Sequence, residues 1–117
     1  MQLWYRVSNV EAARDFYTRE LGFREVYFDE DDRWIRLARE DFELAIAEGE
    51  FAGPEQAGSG EGGAVATIDV DDVKAEAERL REAGVNVGTV VEIPGAIRIL
   101  DVFDPDGNRL QLAEDIA

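Results

Sequence analysis

A repeated pattern constrains the fold of this chain more than any other feature of its sequence. Val7-Ser-Asn-Val10 is matched by Val70-Asp-Asp-Val73 at an offset of 63 residues (70 − 7). Leu44-Ala-Ile-Ala-Glu48 is matched by Leu110-Gln-Leu-Ala-Glu114 at an offset of 66 (110 − 44). Two matched phrases in the same order, with a small change in spacing, indicate a duplicated structural unit.

The hydrophobic pattern gives the first unit the order βαβββ. Helical spacing begins at Val10 and continues to Leu21, where Gly22 can end the helix. Its first turn can be capped by Ser8 in a capping box with Glu11, or by Asn9. Alternating apolar and polar residues predict the strands Gln2 to Val7, Phe23 to Phe28, Arg33 to Ala38 and Phe42 to Ala47.

The second unit repeats this order. Asp72 is a candidate cap for a helix with the apolar stripe Val73, Ala77, Leu80 and Ala83. Predicted strands are Ala64 to Val70, Val85 to Ile93, Ile97 to Phe103 and Arg109 to Ala113. We therefore predict a single α+β domain over 1–117, with module one at 1–50, a Gly-rich linker at 51–63 and module two at 64–117.

The last two predicted strands are joined by a tight turn. Pro105 fixes φ for one turn position, and Gly107 supplies the positive φ that another requires. Asp104, Asp106 and Asn108 have the spacing that opens a calcium loop. Gly107 is misplaced for such a loop and both flanks are strands, so the segment is interpreted as a hairpin turn.

Composition excludes several classes of function. The formal net charge of −15 lacks the basic footprint of nucleic-acid binding and favours cationic ligands. The absence of Cys rules out disulfides and thiol chemistry. We expect no membrane partner and a cytoplasmic location, because the sequence has no run of about 18 apolar residues and its N-terminus has no signal-peptide core.

Several of these phrases resemble the vicinal-oxygen-chelate superfamily, the group of glyoxalases, bleomycin-resistance proteins and extradiol dioxygenases. The residues that carry the resemblance are Val7-Ser-Asn9, Phe16-Tyr17, Leu21-Gly22-Phe23, Val70-Asp-Asp-Val73, Gly84, Asp104-Pro-Asp-Gly-Asn108 and Glu114. The resemblance implies two tandem βαβββ modules that form a curled mixed sheet around a concave cavity. It also implies a homodimer.

In catalytic members of that superfamily the cavity holds a divalent metal, with ligands from the first and last strands of each module. Carried onto this chain, the four ligand positions are Gln2, Ala45, Val65 and Gln111. Ala and Val have no donor atoms, the amides are weak ligands, and the chain has no His. We therefore predict no metal, no cofactor and no catalytic residue of the usual kind.

The cavity instead points to a small-molecule ligand. The predicted ligand-binding residues are Gln2, Trp4, Arg6, Trp34, Arg36, Val65, Thr67, Phe103 and Gln111. Alternation places Trp4 and Arg6 on the strand face opposite the helix, and Trp34 alternates with Ile35. Aromatic and guanidinium groups suit a planar or cationic molecule through stacking and cation–π contact. The leading hypothesis is a metal-independent, bleomycin-resistance-like binder of a cationic or aromatic drug.

Two alternatives stay open at this point. One is a lyase, isomerase or dioxygenase relative that uses a relocated metal or a metal-free acid–base pair such as Glu43 with Asp69. The other is a degenerate dimerisation or regulatory module, in which Trp4 and Trp34 plug the pocket or fill a dimer interface.

Overall fold

A computed structural model of the chain describes residues 3–40, 42–49 and 66–117. These residues form two helices and nine strands, divided between a first unit, 1–64, and a second unit, 65–117. The predicted linker at 51–63 and the first residues of the predicted module two lie outside the described residues. The α+β class and the two βαβββ-like modules are confirmed.

The first unit has the predicted order. Its strands form one mixed sheet in the order β1-β4-β3-β2, in which β1 runs parallel to β4 and the other pairs are antiparallel. The elements are β1 (Leu3–Val7), α1 (Val10–Arg19), β2 (Arg24–Asp29), β3 (Trp34–Arg39) and β4 (Phe42–Glu48).

Helix α1 covers one face of this sheet. Asn9, one of the two predicted caps, accepts a hydrogen bond from the Ala12 amide at 2.8 Å. Val10, Ala13 and Tyr17 are the buried residues of the helix, at the spacing of one helical face. They pack toward the apolar residues of the sheet that are almost fully buried: Tyr5, Val7, Ile35, Leu37, Leu44 and Ile46.

The second unit forms its own sheet. Strand β5 runs parallel to β9, the remaining pairs are antiparallel, and the order is β5-β9-β8-β6 with β7 also paired to β8. Helix α2 buries Val73, Ala77 and Leu80. The elements are β5 (Ala66–Asp69), α2 (Val73–Glu82), β6 (Asn86–Val87), β7 (Val91–Ile93), β8 (Ile97–Phe103) and β9 (Arg109–Asp115).

The predicted strand from Val85 to Ile93 is wrong, because this segment is two short strands. Val87 pairs with Val102 and Val91 pairs with Ile99, so four residue steps on one side face three on the other. The extra residue cannot be paired and must leave the ladder. The break follows Gly88, whose amide donates to the Asp101 carbonyl at 2.9 Å.

The hairpin turn between β8 and β9 is built on a buried carboxylate. One oxygen of Asp104 accepts hydrogen bonds from the amides of Asp106, at 3.0 Å, and Asn108, at 2.8 Å. The other oxygen accepts from the Asn108 side chain at 2.9 Å. Gly107 adopts φ +84°, as predicted for this turn. Asp104, the first residue of the calcium-like spacing, therefore accepts hydrogen bonds from backbone amides of the turn itself.

The matched segments Leu44–Glu48 and Leu110–Glu114 end in glutamates that have the same structural role in both units. A Glu48 oxygen accepts from the Val10 amide at 2.9 Å, and a Glu114 oxygen accepts from the Val73 amide at 3.0 Å. Val10 and Val73 are the first residues of α1 and α2. Each unit thus uses the end of its last strand to satisfy an otherwise unpaired amide at the start of its helix.

Candidate functional site

The candidate site lies on the face of the first sheet that is opposite α1, which we call the aromatic face. Residues directly across a strand pair project to the same side, and the register places Trp4 and Arg36 beside Ala45. Trp34 and Arg6 flank Ala47 in the same way. The four ligand-binding residues predicted in strands β1 and β3 of this unit therefore share one face.

Three aromatic rings meet on this face. The ring centroids of Trp4 and Trp34 are 5.8 Å apart with an interplanar angle of 49°. Tyr27, on β2, lies 5.2 Å from Trp34 at 54°. Both tryptophans are half-buried, whereas Tyr27 is 49% exposed. Tilted rings at these separations attract one another and still leave ring surface that a planar molecule can cover.

Tyr27 belongs to the aromatic face only because strand β2 contains a bulge. Glu25 pairs with Leu37 on the α1 side, but the next pair is Tyr27 with Arg36, so Val26 is skipped. The bulge turns Tyr27 to the opposite face from the one that strict alternation gives it. Period-two alternation therefore does not predict Tyr27 as a residue of this face, and the aromatic pair Tyr27-Phe28 within a charged hairpin is the only sequence signal for it.

Arg36 occupies the centre of the aromatic face. Its cross-strand neighbours are Ala45 on β4 and Tyr27 on β2, and the side chain as a whole is half-buried. Its Nε atom is buried, and within 3–40, 42–49 and 66–117 it has no hydrogen-bond partner. A buried N–H without an acceptor is unfavourable and uncommon in folded proteins.

The predicted residues of the second unit lie on the face opposite α2. Thr67 pairs with Gln111, which also pairs with Asp101, and Phe103 pairs with Arg109. The Gln111 amide nitrogen donates to an Asp101 oxygen at 3.2 Å. Thr67, Phe103 and Gln111 therefore share one sheet face, as alternation predicts. The other two predicted residues, Gln2 and Val65, lie outside the described residues.

The residues at the superfamily's metal positions do not fit a divalent ion. Ala45 lies at the middle of β4 and presents a methyl group to the aromatic face. Gln111 already uses its amide nitrogen on Asp101, and a carboxamide oxygen alone is a weak ligand for a transition metal. Within the described ranges no three His, Cys, Asp or Glu side chains are grouped to hold a metal.

The ionisable groups with displaced pKa values contact one another in two clusters. Hydrogen bonds from the Arg33 guanidinium hold the pKa of Glu11 and of Glu48 below the ordinary value of 4.5. The backbone amide of Val10 lowers the pKa of Glu48 further. Arg98 lowers the pKa of Glu92 in the same way and also contacts Glu114 at 3.1 Å. Because Glu48 and Glu114 cap the two helices, we assign these clusters to the structure of the units.

The fold and the sequence together define the class of protein. The sequence profile of the Glyoxalase/Bleomycin resistance protein/Dioxygenase superfamily matches residues 2–112. The chain belongs to this superfamily.

Solved structures place it among small proteins of similar length. The integron cassette protein HFX_CASS4, from the mobile metagenome of Halifax Harbour Sewage Outfall, has a TM-score of 0.77 at 22% identity, over 97% of this chain and 96% of that chain, which shows the shared fold. TnmS3, an antibiotic binding protein from Streptomyces sp. CB03234, has a TM-score of 0.75 at 28% identity, over 97% and 93%. A glyoxalase/bleomycin resistance protein from the same organism has a TM-score of 0.72 at 29% identity, over 97% of both chains.

No curated protein is similar enough in sequence to count as a match. Neither helix in the described part of the chain is long and apolar enough to cross a membrane.

Proposed function

We propose that this chain binds an aromatic small molecule on the aromatic face, without a metal and without chemical conversion. The observation that supports this most directly is the group of three rings in which Trp4 and Tyr27 both contact Trp34, with Arg36 two positions from Trp34 on the same face. Stacking on such rings supplies affinity without bond-making chemistry. A homodimer and a cytoplasmic location remain predictions.

The metal position of the first unit supports binding over metal-assisted catalysis. The superfamily's enzymes need a donor at the position of Ala45, and this chain has a methyl group there. The likeness to TnmS3, described as an antibiotic binding protein, supports the same class of function for a protein of similar sequence and fold.

Intrinsic fluorescence offers an unusually clean test of this proposal. The chain has two tryptophans, and both belong to the aromatic face. We expect bleomycin or the neutral aromatic 2-acetylnaphthalene to quench the fluorescence of untagged, chelator-treated protein and to release heat in a titration calorimeter. Added Zn²⁺ should leave the affinity for 2-acetylnaphthalene, which does not chelate metal ions, unchanged.

Trp34→Ala should weaken this binding by roughly five- to tenfold, since a lost aromatic contact of about 1–1.5 kcal/mol corresponds to that range. Phe28→Leu is the matched control, because Phe28 pairs with Ile35 on the α1 side of the same hairpin. The proposal fails if neither compound binds at high micromolar concentration. It also fails if binding requires a metal that copurifies with the protein.

A further inference from the structure

Resting on the proposed function, we infer that Arg36 selects the ligand: the aromatic face binds aromatic molecules that carry a carbonyl or carboxylate oxygen, which accepts a hydrogen bond from the Arg36 Nε–H. The net charge of −15 attracts cations over a long range. At the aromatic face itself, Arg36 instead favours a ligand that carries a hydrogen-bond acceptor.

Among the described residues, no neighbour of Arg36 accepts a hydrogen bond from this N–H. Trp34 and Ala38, the neighbours two positions away on β3, have an indole N–H and a methyl group. Ala45, opposite on β4, is a second methyl. The hydroxyl of Tyr27 donates to the Asp29 carboxylate at 3.5 Å. Among the described residues the Nε–H is therefore left without a partner.

Within 3–40, 42–49 and 66–117, the Arg36 Nε is the buried side-chain polar atom that lacks a partner. The chain has 27 acidic residues, and the guanidinium groups of Arg33 and Arg98 each contact two carboxylates. Acceptors are therefore abundant, and two of them, Asp29 and Glu43, lie on the aromatic face, yet neither accepts a hydrogen bond from the Arg36 Nε–H. An unpaired buried donor destabilises the free protein, and an oxygen on a bound molecule would remove that penalty once the half-buried side chain turns its Nε–H toward the ligand. Such a donor gives selectivity, because a ligand without an acceptor leaves it unpaired.

The local donor and the net charge act over different distances. The charge of −15 raises the local concentration of cations around the whole protein, but the Debye length is only about 10 Å in 0.1 M salt. A buried hydrogen bond from a guanidinium is hardly screened by salt and is stronger than a neutral one. At ordinary ionic strength the contact with Arg36 should therefore decide which ring systems bind.

Three probes on one ring system separate these effects: 2-naphthoate is an anionic acceptor, 2-acetylnaphthalene a neutral acceptor, and 2-naphthylmethylammonium a cation with donors only. In 0.15 M salt, we expect both acceptor probes to bind the wild-type protein roughly ten- to a hundredfold more tightly than the cation, the range for a hydrogen bond to a charged group. Arg36→Met should abolish this preference and leave the affinity for the cation unchanged or higher.

Arg39→Met is the matched control, because it removes the same charge from the same strand on the opposite face. It should keep the preference for the acceptor probes. Arg36→Met should also leave the Tm of the ligand-free protein unchanged or raise it, because it removes an unpaired buried donor. A purely structural role of Arg36 would instead lower Tm and weaken all three probes equally.

Four outcomes overturn the inference. If the naphthalene probes bind with equal affinity, or if Arg36→Met keeps the preference, Arg36 does not select the ligand, while binding on the aromatic face stands. If these probes do not bind but bleomycin quenches the tryptophans, the inferred ligand class is wrong and the binding function stands. If nothing binds, both fail.

Discussion

Glu48 shows how one carboxylate can join a strand end, a turn and a helix. It accepts from the Val10 amide at the start of α1 and from Arg33, which precedes β3. Both donors stabilise the charged form, so the pKa of Glu48 in the folded protein lies below 4.5. A carboxyl with a lowered pKa stabilises the fold above its ordinary pKa, and this stabilisation is lost as the pH falls through the folded value.

Glu48→Gln should therefore reduce the Tm at neutral pH and reduce the pH dependence of stability at the acid end. The difference in Tm between wild type and variant should be constant above about pH 6 and shrink as the pH falls from about 5 toward 3. Calorimetric scans across this range measure it. Glu43→Gln is the control, since Glu43 is an exposed residue of the same strand. A constant difference down to the lowest pH would show that the charge of Glu48 is irrelevant.

Individual side chains also show how much of the site the sequence could reveal. Trp34 and Arg36 were placed correctly because period-two alternation holds along an unbroken strand. Tyr27 was missed because one bulge reverses the alternation halfway along β2. The unpaired Nε of Arg36 was also unpredictable, since a missing partner depends on every neighbour in space and on no pattern along the chain.

At the scale of elements, the repeat marks the starts of the helices. Asp72 accepts from the Ala75 amide at 3.0 Å and Asn9 from the Ala12 amide at 2.8 Å, so equivalent caps lie at equivalent positions. The matched phrase thus encodes a cap followed by the first turn of a helix. This explains why the strongest sequence signal predicted the fold well and said little about the ligand.

Asp72→Ala should destabilise the protein by about 1 kcal/mol, the usual contribution of a side-chain cap, without weakening ligand binding on the first unit. Chemical denaturation gives the change in unfolding free energy. The neighbouring Asp71 is also exposed and acidic but does not cap the helix, so Asp71→Ala should change stability by less than about 0.5 kcal/mol. Equal losses in the two variants would contradict the assigned cap.

Element boundaries were predicted less well where the ladder is irregular. The strands β8 and β9 were found because they are long and alternate around a clear turn. The separation of β6 from β7 was not found, since one unpaired residue changes the register without changing the composition. An apolar pattern predicts which residues are buried, but it does not predict where the hydrogen-bonded pairing between two strands is interrupted.

On the scale of the whole chain, two units of the same plan have come to differ in the sheet face opposite the helix. The first unit has rings around Arg36, whereas the second has Gln111 joined to Asp101 and Arg109 near the same carboxylate, at 3.8 Å. On the second face Gln111 and Arg109 both contact Asp101, whereas on the first face the Arg36 Nε–H has no partner among the described residues. This difference is why ligand selectivity is assigned to the first unit.

The net charge of −15 is the property that belongs to the molecule as a whole. Like charges repel in the folded chain, and this repulsion extends through the domain when the Debye length is about 30 Å, at about 0.01 M salt. Raising NaCl to about 0.5 M shortens the Debye length to a few ångströms, so the Tm should rise. A gain of about 1 kcal/mol would correspond to roughly 4 °C for a domain of this size.

Differential scanning calorimetry at fixed pH measures this shift, and uncharged sucrose separates it from the general effect of an excluded solute. The same salt series should weaken 2-naphthylmethylammonium, which gains from the long-range field, and leave 2-acetylnaphthalene unchanged, because its partner is the buried Arg36 Nε–H. A Tm that is flat or falls with NaCl would mean that screening of local ion pairs, such as those of Arg33 and Arg98, matches or outweighs the relief of the net repulsion. The net charge would then not limit the stability of the fold.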